Sequence, residues 1–499
     1  MFACMDPGPA SFIVALSVLA AGPAHAQFVE SDVQVLHTWF GAAAGDTFGF
    51  VTDPVGDLDG DGVSDLAVTA PWFDAPGFAN AGRVSLFSGR TGALIDTIEG
   101  LFAGEFLGAS VSAPGDLTGD NVPDLLVGSF GDPFGSANTA SRVRLYSGVD
   151  RSIVWTFNGL APGDRAGFAS GGVLDDVNGD GVNDVLIGAN GADIPASLAG
   201  AVHVVSGANG TLIRTHTGTG GVQAMGVGVA SLADLDADGV RDYAIAAQRG
   251  GTTGWGYVQV RSGASGGLLR TLNAEVSARS YGVYFLEGCG DVDDDGFEDL
   301  YVPDFSDNEG GSNAGKATVY SGATGAVLFE WKGRAPNEGF GIGRGTGDVN
   351  GDGHADLFLA GYTSSAGALG AGQGLVYSGN SGRVLRTITC DIPGDQLGYD
   401  ATGIPDVNAD GIPDLMISAP GNDTNGDFSG VVYVIAGTIG SCLADWNGSG
   451  GAPDSSDFLA YLNSWAGHDP RADLNPPGGN GSWDSTDFLV FLNELSIGC

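Results

Sequence analysis

Seven times along the 499-residue chain, oxygen-bearing side chains recur at one spacing, Asp-x-Asp/Asn-x-Asp-Gly-x-x-Asp or a close variant of it. The strings are DLDGDGVSD from Asp57, DLTGDNVPD from Asp116, DVNGDGVND from Asp176, DLDADGVRD from Asp234, DVDDDGFED from Asp291, DVNGDGHAD from Asp348 and DVNADGIPD from Asp406. Their candidate metal ligands are Asp57, Asp59, Asp61 and Asp65; Asp116, Thr118, Asp120 and Asp124; Asp176, Asn178, Asp180 and Asp184; Asp234, Asp236, Asp238 and Asp242; Asp291, Asp293, Asp295 and Asp299; Asp348, Asn350, Asp352 and Asp356; and Asp406, Asn408, Asp410 and Asp414. Four side-chain oxygens and a backbone carbonyl near position 7 can surround one ion, while Gly at position 6 permits the sharp turn. Oxygen ligands without His or Cys select a hard cation, and a flexible loop favours Ca²⁺ over strictly octahedral Mg²⁺. An EF-hand would need a following helix and a bidentate acid at position 12. Here a β-type run starts at position 9, so each loop joins two strands of a hairpin. Asp, Asn and Gly are also ordinary turn formers, and one copy would mean no more than a turn. Seven copies that keep the oxygen positions predict about seven Ca²⁺ sites. The second loop departs at Thr118 and at Asn121, which replaces the position 6 Gly, so weaker binding is expected there. His354 stands where the backbone carbonyl would be the ligand, and its imidazole is read as incidental.

The loops repeat every 57 to 60 residues, so one supersecondary unit must position them. Each unit opens on an apolar residue beside Gly, as in Phe48-Gly49, Leu107-Gly108, Phe340-Gly341 and Leu397-Gly398. The acidic loop comes next and leads into a run such as LAVTAP or LMISAP. A third run closes on Ser-Gly (RVSLFSG, RVRLYSG, AVHVVSG), and a fourth comes after a Gly-containing turn. Four short strands bounded by turn residues make a propeller blade. The seventh unit stops after VVYVIAG, its third strand, while VQVLHTWFG at the other end aligns with the missing fourth. The expected fold is therefore an all-β, seven-bladed propeller whose N-terminal strand closes the last blade and leaves no open seam.

Phe48-Gly49, the loop from Asp57 and Ala70-Pro71, repeated at Ala419-Pro420, resemble the FG-GAP repeat of integrin α-subunit head domains and their bacterial relatives. The resemblance runs from about Val33 to Gly437. It implies a seven-bladed propeller with Ca²⁺ in hairpin loops on one face and ligand binding on the loops of the other. This chain carries more metal loops than a typical integrin head.

A formal charge of −41 argues against nucleic acid and anionic lipid as partners. Of the 60 acidic residues, 24 stand at the loop ligand positions, so much of the acidity is ligand. Ser11 to Ala21 form a short apolar run, and Ala24-His25-Ala26 fits a secretory cleavage site, so residues 1–26 read as a signal peptide and 27–440 as the propeller. No other run is long enough to span a membrane. In an exported chain, Cys442 and Cys499 suggest a disulfide closing residues 441–499. For Cys289 and Cys390 the sequence leaves both pairing and buried thiols open.

In residues 441–499 an Asp-x-Asn start, an Asp-x-x-Asp and an apolar run occur twice. Phe458, Tyr461, Leu462 and Trp465, and again Phe488, Phe491, Leu492 and Leu495, fall at i, i+3, i+4 and i+7, the spacing of one helix face. This pair resembles the dockerin-like calcium loop and helix units of secreted bacterial proteins that end in Gly-Cys. The resemblance implies Asp445, Asn447, Asp454 and Asp457 as ligands of a first Ca²⁺ and Asp473, Asn475, Asp484 and Asp487 as ligands of a second. It also implies a cohesin-like or cell-envelope anchor. Catalysis finds little support: Gly263-Ala264-Ser265-Gly266-Gly267 matches Gly-x-Ser-x-Gly but sits in a repeated turn, without the strand-turn-helix of a nucleophile elbow. The expected function is non-enzymatic, namely adhesion or recognition of an extracellular protein or glycan by a secreted or cell-surface propeller. The alternative is an accessory or catalytic component of extracellular polysaccharide degradation docked through the tail. Trp72, Phe73, Phe78, Trp255, Tyr257, Phe305 and Tyr362 are the aromatics placed to stack on sugars or to pack between blades.

Overall fold

Each acidic loop leads into a run such as Asp65–Ala70 or Asp414–Ala419, in which every residue is buried. A strand buried on both faces must lie between packed layers, and its apolar and β-branched residues suit that place. The computed structural model describes residues 28–131, 141–161, 163–437, 455–467 and 472. These residues contain seven four-stranded sheets, and every strand pair in them is antiparallel. The inner strands are Thr52–Gly56, Leu107–Gly115, Ala166–Val173, Met225–Ser231, Glu287–Gly288, Phe340–Gly347 and Ala401–Ile404. Each packs on the next, and Ala401–Ile404 packs on Thr52–Gly56, so the sheets form a closed seven-bladed ring. The outer strand of the seventh blade is Val35–Phe40, paired with Val431–Ile435 from Val35↔Ile435 to Phe40↔Val431. The N-terminal closure expected from sequence is thus observed.

Three devices hold the seams. The first is the glycine of the apolar-Gly pair. Gly49 has φ +91°, and a Cβ there would lie 2.8 Å from the Ser418 Cβ and 2.9 Å from the Val432 Cγ2 of the neighbouring blade. Only glycine meets both the backbone angle and the close approach. The second is a polar latch from an outer strand to the next blade's Ser-Gly hairpin. Trp39, Trp155 and Trp331 donate their indole N–H to the carbonyls of Gly92, Gly207 and Gly382 at 2.7–2.8 Å. Arg214 and Arg270 donate to Gly263 and Gly322 at 3.1 and 2.7 Å. The third is the segment before Val35. Val29 donates its N–H to the Thr389 carbonyl at 2.9 Å, and the Glu30 carboxylate accepts the Thr389 N–H and hydroxyl, both at 2.7 Å. Residues 28–32 therefore clasp the sixth blade before the chain completes the seventh.

Cys289 and Cys390 are free and buried. Helix Ser455–Ala466 matches the predicted first helix of the tail: Tyr461 is buried, Phe458, Leu462 and Trp465 are half-buried, and Leu459 is exposed. The predicted leader lies outside the described residues, as do Cys442, Cys499, Asp445, Asn447, Asp454, Asp473, Asn475, Asp484, Asp487 and the second tail helix. Asp457 belongs to the described helix, but its side chain is not among the described atoms. Among the described residues no helix is long and apolar enough to cross a membrane.

Candidate metal centres and axial cavity

The seven loops share one hydrogen-bond scheme, and the carboxylate at each end serves a different purpose. The position 1 Asp (Asp57, Asp116, Asp176, Asp234, Asp291, Asp348, Asp406) folds the loop around itself. It accepts the position 5 N–H at 3.0–3.2 Å and the position 6 N–H at 2.7–2.8 Å. The position 9 Asp (Asp65, Asp124, Asp184, Asp242, Asp299, Asp356, Asp414) is buried. One of its oxygens accepts the position 2 N–H at 2.7–3.0 Å. The other accepts the N–H of the glycine that ends the third strand, at 2.9–3.3 Å. Position 9 thus ties the acidic loop to the next hairpin, a structural reason for its recurrence in addition to metal ligation. Burial pushes the pKa of Asp65, Asp184 and Asp299 up to about 6 and that of Asp356 to about 7.

Position 3 separates two kinds of loop. Where it is Asp, three carboxylates converge: ligand atoms of Asp57, Asp59 and Asp61, of Asp234, Asp236 and Asp242, and of Asp291, Asp293 and Asp295 lie within 4.8 Å of one another. Where it is Asn or Thr, the side chain donates to its neighbours instead. Asn178 donates to Asp180 and Asp184 at 2.9 and 3.2 Å, Asn350 to Asp352 at 3.2 Å, Asn408 to Asp414 at 3.1 Å, and the Thr118 hydroxyl to Asp124 at 3.3 Å. Three carboxylates that close, with no side-chain donor at position 3 among them, fit a hard cation through chemistry and proximity together. Loops 1, 4 and 5 are therefore the strongest candidate centres. Asp238, Asp299, Asp120, Asp352 and Asp410 complete the oxygen sets of their loops without joining a described triplet. The second loop keeps its backbone course despite Asn121, which adopts φ +69° much as Gly62 adopts +86°. The His354 imidazole meets the Val292 carbonyl of the preceding loop at 2.8 Å, away from the position 7 backbone. Sequence reading missed Arg90, which donates to the Asp61 carboxylate at 3.1 Å and to its carbonyl at 3.0 Å.

Inner strands run from the apolar-Gly pair to the acidic loop, so their first residues mark the opposite face. There, around the axis, lies a cavity of about 150 Å³. Phe50, Phe168 and Tyr399 directly succeed the blade glycines Gly49, Gly167 and Gly398, a pattern legible in the sequence but not recognised in it. Phe168 stacks on Tyr284 at 4.3 Å, and Phe50 lies 5.7 Å from Tyr399 and 6.5 Å from Tyr284. Arg344 lines the same cavity and pairs with Asp400 at 2.8 Å. Asp400 also accepts the Thr52 N–H at 2.6 Å. Burial raises Asp53 to about 7 and Glu287 to about 8 beside this pair.

The aromatics singled out from sequence divide. Phe305 and Tyr362 line the cavity. Trp72 packs on Phe50 at 5.2 Å, Phe73 lies under the Arg83 guanidinium at 3.5 Å, Trp255 lies under that of Arg279 at 4.3 Å, and Tyr257 is buried. Phe78 is exposed. Ser265 lies in a hairpin turn, its hydroxyl 3.0 Å from that of Ser262, as its sequence context implied.

Seven four-stranded blades with an acidic hairpin loop in each define a seven-bladed β-propeller. The FG-GAP repeat profile matches residues 51–87 and 397–435, so the chain contains FG-GAP repeats. Over part of its length the chain is similar to integrin alpha chains. It is 33% identical to integrin alpha-V of Gallus gallus over 219 residues, which cover 41% of this chain and 20% of the relative. It is 36% identical to integrin alpha-IIb of Homo sapiens over 151 residues, covering 27% and 14%. It is 30% identical to integrin alpha-8 of Gallus gallus over 230 residues, covering 43% and 21%. The matched stretches thus span about a fifth or less of these relatives.

Proposed function

We propose that the protein is a secreted or cell-surface, calcium-binding propeller that acts as an adhesion or recognition module for an extracellular protein or glycan. The observation that carries this reading is the union of integrin alpha-like FG-GAP blades with three closed aspartate triplets in their hairpin loops. Ca²⁺ would be held by the position 1, 3, 5 and 9 oxygens, most firmly in loops 1, 4 and 5. There it would neutralise the clustered carboxylates and brace the loop face. In this reading residues 1–26 direct export, residues 27–440 form the propeller, and residues 441–499, stapled by Cys442 and Cys499, hold up to two further Ca²⁺ and anchor the protein through a cohesin-like or envelope partner.

The test coats beads with the full chain in Ca²⁺ and measures retention of native cell-envelope fractions and of printed glycans against albumin-coated beads. Saturable, Ca²⁺-supported retention is expected. Retention no greater than albumin would refute the recognition role. Equilibrium dialysis that finds no bound Ca²⁺ would refute the metal assignment.

A further inference from the structure

The axial cavity has the size, walls and charge of a site for one kind of ligand. Its volume of about 150 Å³ is that of a protein cavity that takes up one benzene. Phe50, Phe168, Tyr284 and Tyr399 come from four different blades and form one aromatic wall, with Phe168 stacked on Tyr284 at 4.3 Å and Phe50 5.7 Å from Tyr399. None of the four is fully buried, so the cavity opens to solvent.

The electrostatics exclude charged occupants. Arg344 is the one charged residue on the wall, and a cation would meet its guanidinium. An anion would have to compete with the Asp400 carboxylate, which already pairs with that guanidinium at 2.8 Å. A neutral ligand meets neither obstacle. A purely apolar ring would leave polar groups unserved: Arg344 makes one hydrogen bond, from Nη1 to Asp400, and the hydroxyls of Tyr284, Tyr362 and Tyr399 make none to the described residues. Polar groups converging on an aromatic-walled cavity call for a ring that carries its own hydrogen-bonding groups.

We propose that the axial cavity binds one neutral pyranose ring of a glycan, packed against the free side of the Phe168–Tyr284 stack, with its hydroxyls met by Arg344 and the surrounding tyrosine hydroxyls. The proposal rests on the recognition reading above and supplies its ligand class.

Saturation-transfer NMR on the full chain in Ca²⁺ tests it. The probes are methyl glucoside, mannoside and galactoside and N-acetylglucosamine, with propylguanidinium, propionate and benzyl alcohol as the charged and apolar alternatives. Transfer to at least one pyranoside is expected. Tyr362→Phe, which removes only a hydroxyl, should weaken that pyranoside about three- to tenfold, the loss of one neutral hydrogen bond, and Phe168→Ala should abolish it. Unchanged melting of Tyr362→Phe separates this effect from misfolding. Transfer only to a charged or apolar probe, no transfer to any probe, or pyranoside binding equal in both variants overturns the proposal. Bead retention distinguishes the two readings. If Phe168→Ala retains envelope or glycan as well as the parent, the cavity proposal falls and the recognition role stands. If the parent retains nothing, the recognition role falls, and the pyranoside result alone decides the cavity.

Discussion

Asp236→Asn should change stability in opposite directions with and without Ca²⁺, and the structure sets the size of both effects. Ligand atoms of Asp234, Asp236 and Asp242 lie within 4.8 Å of one another. At that separation each pair of unit charges repels by about 0.9 kcal/mol in a water-like dielectric. Removing the Asp236 charge abolishes two such pairs, and a Debye length of about 8 Å at physiological salt roughly halves the sum, leaving about 1 kcal/mol. In EDTA at pH 8 the variant should therefore be more stable than the parent by about 1 kcal/mol. In saturating Ca²⁺ the lost carboxylate should weaken the site at least tenfold, a cost of about 1.4 kcal/mol that outweighs the relieved repulsion and leaves the variant less stable by about 0.4 kcal/mol or more. Urea denaturation of parent and variant, run in parallel in EDTA and in Ca²⁺, reads both numbers. An equal shift in both buffers would refute a cation at this triplet. Asn178→Ala in the third loop is the control. It removes a donor to Asp180 and Asp184 instead of a charge, and it should destabilise in EDTA.

Chelation should lower the melting temperature by a large margin and Ca²⁺ should restore it, since each site filled at 100 times its Kd adds about 2.7 kcal/mol; an unchanged melt in EDTA would sink the structural role of the ion. Stability in EDTA should fall as pH rises from 5 to 7.5. Burial raises Asp65, Asp184 and Asp299 to about 6 and Asp356 to about 7 in the folded chain, so the stability they contribute is complete below the unfolded carboxylate pKa and is lost through that window. Melting scans across this range would show no such loss if the carboxylates titrate normally. Trp155→Phe removes the 2.7 Å latch to the Gly207 carbonyl and should cost about 1 kcal/mol by urea denaturation. Truncating residues 28–32 should speed thiol labelling of Cys390, next to the Thr389 clasp, and leave the buried Cys289 protected; equal labelling would show that the clasp does not cover this seam.

The repeat and its architectural consequences were readable from the order of residues alone: seven blades, four strands in each, a hairpin loop in every blade and an N-terminal strand owed to the last one. They were legible because a propeller blade is a local unit of about 60 residues, and periodic turn residues and alternating strands register locally. The loop oxygens were legible for the same reason, since their spacing is a backbone property of nine consecutive residues. Folding settled whatever depends on distant segments meeting. It made position 9 a tie between two hairpins as well as a candidate ligand. It divided the loops by whether position 3 repels or donates. It set Trp155 on Gly207 and Thr389 on Glu30 across seams that no local pattern marks. It also brought Phe50, Phe168, Tyr284, Tyr399 and Arg344 to one axis from five blades. A ring closes only when its two ends pair, and the residues at its centre meet only through that closure.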